Sequence, residues 1–561
     1  MIWDSGGRGS LDPPHGTASS TRSSDSPEST AQPRRAGLLV PLFSLRSARG
    51  WGIGEIGDIA AAARWLESAG LTLLQLLPIN ELPLFETSPY SSLSAMAVDP
   101  QYLTMDDVED FAAIGGERAL EAELRSRLES VRAADGVEYA GVRRLKSLAL
   151  RRAFERFRDI EFRGNSRRAR AFRVFTEEQA WWLDDYALFR ALHERRGPAP
   201  WTEWPEGLRD RDPFALADAR AELGDEVRYR QYLQWLAQEQ WQAARAAAGR
   251  VVLFGDLPFM VALDSADVWA RQADFRLDAS LGVPPDAFSE TGQDWKLPVY
   301  KWDAIAEGGF AWLHQRARRN AVLFGGYRVD HLVGFYRTFS RPLGDSTGPG
   351  EFTPPDEPAQ TALGERVLRV FLESGAHIVA EDLGVVPDFV RASLKRMQVA
   401  GCKVFRWERR WDHEGQPFAD PAEYPARAVA TSGTHDTEPM VTWWASAPAA
   451  EREAALAIPL VAERLGVEGR GAALLEPELP AAARDAFIEA LIASPASLVI
   501  LPVQDVFGWS DRINTPATVN DQNWTWRMPW PNERLSFEPE AVAAVKRLRE
   551  WCAHYSRMGV T

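Results

Sequence analysis

Cysteine is almost missing: 561 residues contain only Cys402 and Cys552. Two thiols exclude a disulfide framework and a thiolate metal cluster, and they fit a reducing cytoplasm. No stretch approaches about 18 uninterrupted apolar residues, so a membrane span is not expected. Basic residues are in deficit, 64 against 79 acidic ones, for a formal net charge of −15. A surface with that balance is a poor general binder of polyanions, and nucleic acid is not an expected partner. The first 36 residues have no apolar core and are rich in Ser, Gly, Pro and Asp. They read as a disordered N-terminal tail, not as a secretory signal. No repeat of 20 to 50 residues and no further low-complexity tract follows.

What is present is a large apolar content, 45%, enough for an extensive core. Eight apolar, β-branched runs bounded by turn residues read as strands, starting at Leu38, Leu71, Val251, Gly326, His377, Cys402, Ala428 and Ser497. Helical patterns separate them, as at 56–69, 364–374 and 387–398. Strands alternating with helices pair in parallel, and eight of them predict an α/β fold, a closed (β/α)8 TIM barrel spanning 37–561. Such a barrel typically needs about 250 residues. The surplus falls in a helical insertion at about 106–250, an active-site loop at about 258–300 and a second helical insertion at about 447–494. The arginines of VRRLKSLALRRAFERF, 142–157, are expected to form a solvated face.

In a (β/α)8 barrel the active site lies at the carboxyl ends of the strands, and Asp256, Asp330, Glu381 and Asp436 all fall there. In GYRVDH, 326–331, Arg328 and Asp330 are two apart and share a strand face, so the guanidinium is expected to hold the carboxylate ionised. A structural ion pair is the bland alternative. Glu381, in AEDLG, has no cation beside it in sequence and apolar residues on both sides of the Glu-Asp pair, a setting that raises a carboxyl pKa. One ionised and one protonated carboxyl, about 5–5.5 Å apart, are what retaining glycoside chemistry requires. A Mg²⁺ site built from the same carboxylates is disfavoured by the fixed cation at Arg328. In SGTHD, Asp436 has a second reading as the cap of a helix starting near 438. His331 and His435 adjoin strand-end aspartates, and imidazole with carboxylate makes a clamp for vicinal sugar hydroxyls. GIGEIG, 52–57, formally matches a dinucleotide fingerprint, but it does not follow a strand directly and is read as a turn into the first helix. Several of the 22 tryptophans lie in Gly/Pro-rich segments such as 292–298, where flat rings suit sugar faces.

The motifs GDLPFMVALDSADVW (255–269), GVPPDAFSETGQDW (282–295), RVDH, AEDLG and GTHD, in that order, resemble the 4-α-glucanotransferases, the amylomaltases and disproportionating enzymes of the α-amylase clan. SPYSSLSA (88–95), WLDDYALF (182–189) and NWTWR (523–527) extend the likeness to nearly everything after residue 37. The resemblance implies Asp330 as nucleophile, Glu381 as general acid/base and Asp436 as the carboxylate binding the donor sugar's hydroxyls. It implies support from Arg328, His435 and Asp256, a loop over the cleft at 284–295 carrying Phe288, and glucose contacts from Tyr90 and Trp295. Packing is the alternative for both aromatics. The implied activity is transfer of α-1,4-glucan segments between maltooligosaccharides, with no cofactor and no metal. A hydrolase using the same carboxylates, or a catalytically silent glucan-binding protein, are the alternatives. Monomer and homodimer both remain open. The chain departs from the family pattern at Leu332 and Val333, at Thr437, and at Lys296 and Leu297, all beside the expected site.

Overall fold

The computed structural model describes residues 33–197, 199–284, 292–345, 349–516, 518 and 520–559. Among them are twelve strands: β1 (Arg35–Leu39), β2 (Leu73–Gln75), β3 (Val252–Leu257), β4 (Phe275–Val283), β5 (Gln293–Tyr300), β6 (Gly326–Val329), β7 (Thr338–Pro342), β8 (Glu351–Thr353), β9 (His377–Ala380), β10 (Gly401–Val404), β11 (Ala428–Thr431) and β12 (Leu498–Pro502). Eight form one sheet in the order β10-β11-β12-β1-β2-β3-β6-β9, with every pair parallel. The two ends meet through a parallel bridge between Val379 and Ala400, where the Ala380 N–H donates to the Ala400 carbonyl at 2.8 Å. The result is a (β/α)8 barrel, and each of the eight predicted runs supplies one of its strands. Apolar runs such as Leu498–Pro502 suit it because barrel strands are covered on both faces. At Gly37 the neighbouring strand comes so close that a Cβ would sit 2.1 Å from the Leu73 carbonyl oxygen, which leaves room only for glycine.

A second, antiparallel sheet, β5-β4-β7-β8, was not expected from the sequence. Within the stretch read as an active-site loop, 258–300, lie the helix Ala266–Ala270, β4 and β5. Of the segment 284–295, residues 285–291, Phe288 included, lie outside the described residues.

Between β2 and β3 the chain is helical, with helices at Glu109–Ala113, Ala122–Ala133, Tyr139–Arg156, Arg167–Arg196, Pro213–Glu222 and Gly224–Ala247. The cations of Tyr139–Arg156 are less solvated than expected. Arg151 makes two bonds to Glu226 at 2.9 and 2.8 Å, Arg156 bonds Asp110 at 2.5 Å, and Lys146 is 1% exposed with its ammonium 2.6 Å from Glu55. Acidic partners from other segments, distant in sequence, are what draw these cations inward. Glu55 belongs to GIGEIG, which leads through a 3-10 turn, Ile56–Asp58, into the helix Ile59–Ser68. Its buried carboxylate accepts the Trp51 N–H at 3.1 Å as well as facing Lys146, and the Glu55 N–H donates to Asp58 at 2.8 Å. Among the described residues no helix is long and apolar enough to cross a membrane.

Candidate active site

The barrel register places the polar side chains. Asp256 of β3 stands beside Arg328 of β6, and Val329 beside Ala380 of β9, so Asp330 and Glu381 each follow the last residue of adjacent strands. The Asp330 N–H donates to the Leu257 carbonyl and the Glu381 N–H to the Val329 carbonyl, both at 3.0 Å, which fixes both backbones past the formal strand ends. Asp436 follows β11, two strands beyond β9 in the barrel.

Arg328 is the hub. Its Nε donates to Asp256 Oδ2 at 2.8 Å, and its Nη2 donates to Asp330 Oδ1 at 2.8 Å and to the Tyr90 hydroxyl at 3.1 Å. Tyr90 in turn donates to Asp256 Oδ2 at 3.1 Å, and its ring stacks on His435 with centroids 5.2 Å apart. The expected sharing of one face by Arg328 and Asp330 is therefore seen directly. The electrostatics differ from the expectation. Burial raises the Asp330 pKa more than Arg328 and His435 lower it, and the charge of Asp436 pushes the same way as burial. Neighbour reasoning along one strand does not include the desolvation of a barrel mouth. Burial likewise pushes the Asp256 carboxyl up to about 6, against the pull of Arg328.

Glu381 sits where the sequence reading put it chemically. Burial, then repulsion from Asp330, lifts its carboxyl to about 7, opposed by Arg328 and by two backbone donors. Those donors are the His331 N–H on Oε2 at 2.9 Å and the Leu383 N–H on Oε1 at 3.0 Å. His331 offers its N–H from a left-handed backbone conformation, φ 45°. Its imidazole meets Trp295 edge to face with centroids 4.8 Å apart, and burial, then Arg337, pushes its pKa down to about 4, so the ring is neutral.

Asp436 is not a helix cap. The helix Met440–Ser446 is met by Asp505, whose Oδ1 accepts the Met440 N–H at 2.6 Å while its Oδ2 accepts Ser432 Oγ at 2.5 Å. Asp436 instead faces His435 at 3.2 Å and accepts Asn514 Nδ2 at 2.6 Å, and its carbonyl accepts Arg512 at 2.9 Å. Burial works against its ionisation, yet His435, Asn514 and Arg328 together hold it well below the usual carboxylate range. Direct contacts thus join six of the nine expected positions, Tyr90, Asp256, Arg328, Asp330, His435 and Asp436, in one network and the other three, Trp295, His331 and Glu381, in a second. Sequence reasoning missed Asp505, Arg512 and Asn514. The only signal for the last two was a short polar run, DRIN, in a segment without periodicity.

At the unusual positions, Thr437 closes the GTHD turn: its Oγ1 accepts the Thr434 N–H at 2.9 Å and donates to the Thr434 carbonyl at 3.0 Å. Lys296 takes a left-handed conformation, φ 55°, natural to glycine and strained for lysine. Leu332 is buried in the 3-10 turn Leu332–Phe335, and Val333 is half-buried against the core.

A closed parallel barrel with acidic side chains gathered at the carboxyl ends of its strands defines a (β/α)8-barrel enzyme. The sequence signature described as 4-alpha-glucanotransferase matches residues 40–533, and the chain belongs to that family. Similar proteins include the 4-alpha-glucanotransferases of Thermus thermophilus, 34% identical over 92% of this chain and 98% of that protein, and of Chlamydia pneumoniae, 29% identical over 91% and 94%. Among solved structures, the amylomaltase from Streptococcus agalactiae in complex with acarbose is 25% identical, with a TM-score of 0.77 over 93% of this chain and 99% of that one.

Proposed function

We propose that the chain transfers α-1,4-glucan segments from a donor maltooligosaccharide to the 4-hydroxyl of an acceptor glucan or glucose, by retaining double displacement. The carrying observation is the pair of unlike carboxyls on adjoining strand ends: Asp330 hydrogen-bonded to Arg328, and Glu381 lifted to about 7. Neighbouring strands lie about 4.8 Å apart, on the scale of the roughly 5–5.5 Å separation used for retention.

In the first step Glu381 donates its proton to the glycosidic oxygen while Asp330 attacks the anomeric carbon, which releases the reducing-end fragment and leaves a glycosyl ester on Asp330. In the second, Glu381, now ionised, takes the proton of the acceptor's 4-hydroxyl as that oxygen displaces Asp330. The two inversions restore the α configuration and the starting protonation states. Asp436, ionised and paired with His435, accepts hydrogen bonds from hydroxyls of the reacting glucose. Arg328 stabilises Asp330 as a leaving group, and Asp256 and Tyr90 hold Arg328. Trp295 and Tyr90 supply flat surfaces for glucose rings, with His331 backing Trp295. A cytoplasmic setting is part of the same reading and is supported by the two free, buried thiols.

The test is intermediate trapping. Glu381→Gln with an activated glycosyl donor should accumulate protein heavier by one glycosyl unit, the label mapping to the peptide carrying Asp330. A label on another residue, or full activity in Asp330→Asn, would refute these roles.

A further inference from the structure

The helix Tyr139–Arg156 lies against the rest of the molecule along one face, burying Val142, Leu145, Ala149 and Leu150. Lys146 locks its register, because its ammonium donates to the Gln101 and Leu103 carbonyls at 2.7 Å each and faces Glu55 at 2.6 Å. Three residues earlier, and so on the same side of the helix, Arg143 meets the loop that follows β2. Its Nη1 donates to the Pro83 carbonyl at 3.0 Å and to the Leu84 carbonyl, and its Nη2 to the Glu86 carbonyl at 2.9 Å.

Apolar burial does not hold the tip of this loop, since Leu84 and Phe85 are 66% and 88% exposed. Polar contacts do. Asp99 accepts the Leu82 N–H at 3.1 Å, and Glu86 Oε1 accepts the N–H groups of Thr87 and Ser88 at 2.8 and 2.9 Å. The Ser88 carbonyl then accepts the Ser91 N–H at 3.2 Å in the turn that carries Tyr90. Carbonyls that converge on one guanidinium point their dipoles at one another, and without the cation they repel. The Tyr90 hydroxyl stands at the far end of this chain, bonded to both Asp256 and Arg328.

We propose that Arg143 is a positioning residue: its fork fixes the loop at 82–88 and thereby sets Tyr90 against Asp256 and Arg328, so that the helical insertion governs the hold on Asp330. This rests on the roles given above to Tyr90 and Asp330. An Arg-to-Met change keeps the stem and removes the donors, and an Arg-to-Lys change restores charge without the planar fork.

The test compares Arg143→Met, Arg143→Lys, Tyr90→Phe and the double variant Arg143→Met/Tyr90→Phe, each for thermal melting and for kcat and KM on maltotriose. Arg143→Met should lose on the order of tenfold to a hundredfold in kcat/KM, as misplacement of a distant support does. Arg143→Lys should fall between it and the wild type. The double variant should lose less than the product of the two single losses, because both changes break one chain. Losses that multiply in the double variant, or a lowered melting temperature with undiminished kcat/KM, overturn the proposal. Wild-type rates in Tyr90→Phe would remove the reading of Tyr90, and the proposal with it. Should Arg143→Met fail to fold, Arg143→Lys with and without Tyr90→Phe decides the matter by the same comparison.

Discussion

Raising the pH from 6 to 9 removes the proton that the Glu381 carboxyl must donate. Its midpoint near 7 arises from burial and from the neighbouring Asp330. The protonated form is the one that donates to the leaving oxygen, so kcat/KM should be flat below the midpoint and fall tenfold per pH unit above it. From a carboxyl about nine-tenths protonated at pH 6 to about one-hundredth at pH 9, the loss is roughly ninetyfold. The assay is the initial rate of glucose release from maltotriose at subsaturating substrate, corrected for enzyme stability at each pH. The cause is testable separately by following the labelled Glu381 carboxyl by NMR in Asp330→Asn. Removing the adjacent negative charge makes ionisation easier, so the midpoint must move down. A rate profile flat to pH 9, or a midpoint that rises or stays fixed in Asp330→Asn, would refute the reasoning.

Asn514→Leu removes a donor from Asp436, so the midpoint of that carboxyl, followed by NMR of the labelled side chain, should move to higher pH. An unmoved Asp436 midpoint would show that Asn514 does not hold that carboxyl ionised. Asp505→Ala strips the acceptor from Ser432 and from the Met440 N–H, and should cost about 3 kcal/mol in denaturant titration, because two buried donors lose their partner. Glu381→Gln should gain on the wild type in melting temperature as pH rises from 5 to 8. A carboxyl raised to about 7 when folded binds a proton on folding, so its favourable contribution is complete below the unfolded value and is lost as pH rises through about 7. An identical gap at both pH values would contradict the raised pKa.

The barrel was legible because its strands lie in short apolar, β-branched runs bounded by turn residues, as Leu498–Pro502 does. The antiparallel sheet was not, for a physical reason. Its strands FRLDASLGV and QDWKLPVY are only partly buried, and their pairing contains register shifts, so neither a period of two nor a continuous apolar run appears. At the site, side chains within a few residues of one another were readable, as with Arg328 and Asp330. Asp505 and Asn514 were not, since they reach Met440 and Asp436 only through folding across more than 60 positions. The direction of the Asp330 pKa was also beyond local reasoning, because the burial that sets it comes from the whole barrel mouth.

The central claim is transfer, and incubation with maltotriose tests it most directly. A glycosyl ester on Asp330 has two fates, and water at about 55 M prevails unless a held acceptor reaches an effective molarity of roughly 10⁵ M or more. The account predicts glucose together with a ladder of longer maltooligosaccharides at nearly constant total reducing ends, since each transfer breaks one glycosidic bond and makes one. Reducing ends that rise in step with the loss of maltotriose, with no product longer than the substrate, would make water the acceptor and contradict it.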